Sequence, residues 1–123
     1  MVPDREKILA AATDYIESWL SGDAERMRRC LRPDLAKRSL SDRDPQRVDH
    51  ITADEMVRAT GEGSGKKYRA GHEIEILDVN GTIATVKVTS VPYVDYLHVA
   101  RFGDAWLIVN VLWTRRPPDA AAR

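Results

Sequence analysis

Apolar residues in the first twenty positions recur at three- and four-residue spacing. Ile8, Ala12, Tyr15, Ile16 and Trp19 make one stripe of an amphipathic helix. This predicts a helix from about Arg5 to Leu20, with Asp4 as its N-cap and Gly22 as its stop. Asp23 can cap a short second helix through Ala24, Met27, Cys30 and Leu31, which Pro33 ends. The next stretch, KRSLSDRDPQRVDH from Lys37 to His50, has no apolar period and reads as a long loop. Thr52 and Glu55 then form a capping box, starting a third helix that carries Met56 and Val57 and ends near Gly61. Gly61 to Gly71, GEGSGKKYRAG, reads as a loop. It is not a phosphate-binding loop, because Lys67 stands where Ser or Thr is required and no strand precedes it.

From His72 the period becomes two. HEIEILDV and TIATVKVTSV flank Asn80-Gly81, a hairpin signal, and Pro92 marks a bend, bulge or edge. Tyr93 to Phe102 and Ala105 to Trp113 flank Gly103-Asp104 and predict a second hairpin. Three helices followed by a four-stranded antiparallel meander define an α+β fold with helices on one face of the sheet.

The last hairpin is apolar on both faces. With regular alternation, one face carries Tyr93, Asp95, Leu97, Val99, Trp106, Ile108, Asn110 and Leu112. The other carries Val94, Tyr96, His98, Ala100, Leu107, Val109, Val111 and Trp113. The helices can cover only one face. A homodimer through Tyr96, His98, Val109, Val111 and Trp113 would cover the other.

Composition narrows the classes. With 123 residues and 43% apolar content, the chain makes one domain, placed over 1–114, with a frayed tail from 115 to 123. Lys plus Arg and Asp plus Glu both number 19, so no global field favours nucleic acid or an anionic membrane. The N-terminus lacks a signal-peptide run, no stretch is long enough to span a bilayer, and a cytoplasmic location is expected. Cys30 is the only cysteine and reads as a core residue. No two histidines have metal-ligand spacing, so neither a metal nor a cofactor is expected.

Taken together, the aromatic stripe (Tyr15, Trp19), GDAERM, RPDLAKR, ITADEM and the ending EILDVNGTIATVKVTSVPYVDYLHVARFGDAWLIVNVLW resemble a nuclear-transport-factor-2-like domain. The likeness is in particular to the "putative lumazine-binding" branch, related to polyketide-cyclase-like and ketosteroid-isomerase-like domains. It spans roughly Ile8 to Trp113. It implies a cone, the cystatin-like α+β roll: a strongly curved antiparallel sheet wrapped around the helices, with a pocket at the wide end and dimerisation through the outer sheet face.

Asp95 is the leading candidate for chemistry. Asp is disfavoured in strand interiors, and an apolar pocket would raise its pKa into the range of a general acid or base. Pairing with an arginine such as Arg38, or capping the irregularity after Pro92, would explain it structurally. Tyr15 could donate to an oxyanion, or be plain core with Trp19. Asn110 could bond a ligand carbonyl or satisfy a backbone group. Trp19, Leu97 and Trp106 are candidate pocket lining, and Arg38 could meet an anionic ligand at the mouth. Asp95 and His98 fall on opposite faces, which argues against a dyad. Three functions follow: a small-molecule binder, a cofactor-free isomerase, cyclase or dehydratase using Asp95 and Tyr15, or a scaffold acting through its sheet.

Overall fold

The structure, a computed structural model, describes residues 3–41 and 43–116. Its first helix, α1 (Asp4–Ser21), buries Ile8, Ala12, Tyr15 and Ile16, and closes at Gly22, whose φ of 78° is left-handed. Pro3, not Asp4, takes the N-cap position. Asp4 instead accepts hydrogen bonds from the Trp106 indole at 3.0 Å and from Arg101 at 3.3 Å, tying the helix start to the last hairpin. The second helix, α2 (Ala24–Cys30), is capped by Asp23, which accepts from the Arg26 amide. The third, α3 (Ala53–Gly61), starts with the reciprocal Thr52–Glu55 capping box.

Six strands, not four, make the sheet. They are β1 (Leu31–Leu40), β2 (Val48–Ile51), β3 (His72–Asn80), β4 (Ile83–Ser90), β5 (Tyr93–Phe102) and β6 (Ala105–Arg115). Their order is β2-β1-β6-β5-β4-β3, in one curved, unclosed sheet. Every neighbouring pair is antiparallel except β1 and β6, which are parallel. The segment read as a polar loop therefore contains part of β1 and most of β2, and Leu31 belongs to a strand rather than to α2. Pro33 lies inside β1, where the register shifts between Leu31 and Ala36, so its missing amide breaks no regular ladder.

The first predicted hairpin turns at Gly81-Thr82 rather than Asn80-Gly81, since Asn80 still pairs with Ile83. The second turns at Gly103-Asp104 as read. Its register then departs from simple alternation. Val99 pairs with Ile108, but His98 pairs with Asn110, leaving Val109 as an extra bulged residue. One inserted residue reverses the facing of everything beyond it. Val111 and Trp113 consequently join Leu97 and Asp95 on the inner face, while Asn110 and Leu112 turn outward.

The core lies between α1, α2 and the inner sheet face. Ile8, Ala12, Ile16 and Met27 pack with Val86, Val88, Leu97, Val99 and Ile108, all essentially inaccessible to solvent. Arg115 ends β6, and the Arg116 amide donates to the Pro92 carbonyl at 2.8 Å, so the tail is ordered two residues further than expected. The rest of that expected tail, 117–123, lies outside the described residues. Among the described residues, no helix is long and apolar enough to cross a membrane.

Candidate functional site

Four elements converge at one end of the core. Tyr15 comes from α1, Lys37 from β1, Asp95 from β5 and Trp113 from β6. Each points inward by alternation in its own strand, or by its place on the buried stripe of α1. In β1, Leu35, Lys37 and Ser39 are buried, whereas Ala36, Arg38 and Leu40 face outward.

These side chains surround a cavity of about 410 Å³. Ile16, Trp19, Met56, Tyr93 and Trp113 supply most of its apolar wall, and Tyr15, Lys37, Ser39 and Asp95 its buried polar residues. Residues of β2 and of the 62–71 loop, among them His50, Ser64, Lys67 and Tyr68, complete it toward solvent. Tyr68, Tyr93 and Trp113 form an edge-to-face chain along one side, with centroids 5.3 and 5.1 Å apart. Gly65 lies directly on Trp19: a Cβ there would stand 2.4 Å from the Trp19 carbonyl oxygen. The Trp19 indole N–H is buried without a hydrogen-bond partner among the described residues.

The polar groups form a chain. The Lys37 ammonium donates to the Tyr15 hydroxyl at 2.5 Å, and that hydroxyl donates to Asp95 Oδ2 at 2.8 Å. Lys37 Nζ also lies 3.2 Å from Met56 Sδ, and over the rings of Tyr15 and Trp113 at 4.9 and 5.7 Å. All three groups are shifted toward their neutral forms. Burial raises the Asp95 carboxyl, although the Lys37 charge and the Tyr15 hydrogen bond act against it. Burial lowers the Lys37 amine to about 8, with the Asp95 charge opposing. Burial and the adjacent carboxylate together hold the Tyr15 phenol well above its ordinary value.

Of the residues singled out from sequence, Tyr15, Trp19 and Asp95 line this cavity. Four others lie elsewhere. Leu97 and Trp106 are buried in the core away from the cavity wall, and Arg38 faces outward on β1. Asn110, turned outward by the bulge, is exposed and bonded to His98 at 3.3 Å. Two residues assigned to the outer contact face also move. Val111 is buried in the core and Trp113 lines the cavity. Tyr96 and His98 remain exposed, and Val109 is half-buried at the bulge. The sequence pattern assigns no role to Lys37. Its only local signal is shared parity with Leu35 and Ser39 in a segment that looks like a loop.

Among the described residues, no group of three or more His, Cys, Asp or Glu is placed to hold a metal. Cys30 is a buried free thiol pushed up to about 12 by desolvation, which makes it inert.

A curved, unclosed sheet folded around three helices, with a cavity at one end, is the nuclear-transport-factor-2-like architecture. Solved structures of that class superpose on nearly the whole chain. An NTF2-like protein of unknown function from Shewanella baltica OS155 matches with a TM-score of 0.72 at 12% identity, covering 93% of this chain and 94% of that one. Another from Methylobacillus flagellatus KT gives 0.71 at 18%, covering 95% of each. A cystatin-like domain from Nostoc punctiforme PCC 73102 gives 0.65 at 15%, covering 95% of this chain and 80% of that one. At these identities the likeness is one of fold. No curated protein matches the chain. Residues 3–114 match the family described as "Putative lumazine-binding", and the chain belongs to that family.

Proposed function

We propose that the protein binds a small, mostly aromatic organic molecule in the cavity, through one polar group that meets Tyr15 and Lys37. The observation that carries this reading is the mismatch between wall and floor. A roughly 410 Å³ space with aromatic and aliphatic walls holds a chain of three buried polar groups, Lys37, Tyr15 and Asp95, bonded to one another. Ligand sites have this composition: apolar area for affinity and a few fixed polar groups for orientation. A carbonyl, phenolate or carboxylate oxygen suits the Lys37 ammonium, which has three protons and gives only one to Tyr15. The family description is consistent with ligand binding and leaves the ligand open.

A second reading is acid–base catalysis at Asp95, in the manner of an isomerase, cyclase or dehydratase. It is favoured by a carboxyl that lines the cavity, is buried and is raised above its ordinary range. In that reading Tyr15 orients Asp95 and Lys37 stabilises negative charge developing on the substrate.

The binding reading is tested with 2-naphthol, which joins an aromatic body to one hydroxyl. It should quench tryptophan fluorescence saturably and raise the melting temperature. Ser64→Trp, which places an indole at an exposed position of the cavity rim, should abolish both effects. If neither 2-naphthol nor 2-naphthoic acid binds, the reading fails. Asp95→Asn separates the two readings, since binding should survive it and turnover should not.

A further inference from the structure

We propose that Lys37 is a carbonyl-capturing nucleophile, whose amine condenses with an aldehyde or ketone held in the cavity to form a Schiff base. The inference rests on the cavity admitting a small organic molecule, as proposed above.

Three observations carry it. First, Lys37 lines the cavity, so its amine and a bound carbonyl share one site. Second, its surroundings are those of a reacting amine rather than of a structural cation. A buried ammonium is ordinarily paired with a carboxylate. The half-buried Arg26 does make such contacts, reaching Asp14 at 2.7 Å and Glu17 at 2.8 Å. Lys37 instead touches a hydroxyl, a thioether and two aromatic rings. Desolvation of this kind is how an amine becomes neutral and nucleophilic near physiological pH, and it agrees with the fall of Lys37 to about 8. The charged or titratable groups facing it are Asp95, Tyr15 and Cys30, of which Asp95 holds the ammonium up most strongly.

Third, the hydrogen bonds run in the direction the chemistry needs. Lys37 donates to Tyr15, and Tyr15 donates to Asp95. A proton leaving the ammonium therefore passes through the hydroxyl to the carboxylate, giving a neutral amine and a protonated Asp95. The amine lone pair then forms the C–N bond, and the carbonyl π pair moves to oxygen. A proton shifts from nitrogen to that oxygen, giving the carbinolamine. Protonated Asp95 donates to the carbinolamine hydroxyl, which departs as water as the nitrogen lone pair closes the C=N bond. Ammonium and carbonyl are converted to iminium and one water, with Asp95 again ionised. No oxidant or reductant takes part.

The test uses the full chain, 2-naphthaldehyde and cyanoborohydride, which reduces the imine to a stable amine for peptide mapping by mass spectrometry. The chain has five lysines: Lys7, Lys37, Lys66, Lys67 and Lys87. At pH 7 an amine at about 8 is neutral roughly one time in ten, against about one in three thousand for an ordinary lysine. Lys37 should therefore be labelled roughly 100-fold faster than the other four, saturably, and 2-naphthol should compete. Tyr15→Phe should slow the labelling at least tenfold. Lys37→Arg should remove the fast label.

If 2-naphthol binds but Lys37 is labelled no faster than the other lysines, the nucleophile is overturned and the binding reading stands. If neither naphthalene binds, both are overturned. An unchanged rate in Tyr15→Phe overturns the proton relay. The peptide map of the unmodified sequence decides the central point without any variant having to fold.

Discussion

Lys37 and Asp95 are joined through a third side chain. The Tyr15 hydroxyl accepts from the lysine at 2.5 Å and donates to the aspartate at 2.8 Å, so two buried ionisable groups share one neutral intermediary. A buried ion pair in direct contact gains Coulomb energy to offset desolvation. Here part of that gain is given up, and each group sits closer to its neutral form. The arrangement sets reactivity ahead of stability, and its consequences can be measured.

Removing the intermediary should be costly. Tyr15→Phe keeps the ring that packs in the core and deletes only the hydroxyl. It leaves a buried donor and a buried acceptor each one bond short, which is worth about 1–3 kcal/mol. Urea denaturation at pH 7 should show a loss of that order, and an unchanged midpoint would mean that water replaces the hydroxyl without penalty.

Lys37 should make stability rise in mild alkali. Its amine is at about 8 in the folded protein and 10.5 ordinarily. Below about 8 both states carry the charge, and the full cost of burying it is present. Between about 8 and 10.5 the native state is neutral while the unfolded state still binds the proton, so the cost falls as pH rises. The stability of the native sequence relative to Lys37→Met should therefore increase across this window, by about 3 kcal/mol. A flat difference from pH 7 to 10.5 would show an ordinary lysine.

Gly65 should resist even a methyl group. A Cβ at this position would fall 2.4 Å from the Trp19 carbonyl oxygen and 2.6 Å from the indole nitrogen, so either the 62–71 loop or Trp19 must shift. Gly65→Ala should cost about 1–3 kcal/mol through overpacking. It should also alter tryptophan emission, whereas Ser64→Ala, at an exposed neighbour, should do neither. Equal melting temperatures for the two variants would show that the loop does not need a glycine to seal the cavity.

The outer sheet face should mediate self-association. Tyr96 and Leu112 are partners across β5 and β6, and are 43% and 54% exposed. Ile83 on β4 is 60% exposed. We expect a homodimer that covers Tyr96, His98 and Leu112, and expect Leu112→Arg to dissociate it. Sedimentation equilibrium at tens of micromolar decides the matter, and a monomer there would refute the dimer.

Local pattern made much of this molecule legible. The stripe on α1, the Thr52–Glu55 box and the two hairpins are short-range features, and each appears near its expected place. Tyr15 and Asp95 could be picked out because a phenol on a buried stripe and a carboxylate between apolar strand neighbours both stand out against their surroundings. Two features were not legible, and both are non-local. In β1 only Leu35 marks the buried side between residues 34 and 40 as apolar, and the strand is held by pairing with β6 from the far end of the chain. Lys37 was hidden with it. The Val109 bulge is equally silent in an apolar run, where a one-residue slip leaves each face still mostly apolar. That slip moved Trp113 into the cavity and Asn110 out of it.

The parallel pairing of β1 with β6 also fixes when the site can exist. Lys37 lies opposite Val111, and Ser39 opposite Trp113. As the chain leaves the ribosome, α1 and its Tyr15 emerge first and β6 last. Until then β1 can pair only with β2, and one of its edges is open to any other strand. Long-range closures of this kind form slowly and leave sticky surface exposed while they wait. The phenol and the lysine are thus made early and the carboxylate late, and the final strand assembles them: a chain stalled before β6 would carry every group of the triad but no place for them to meet.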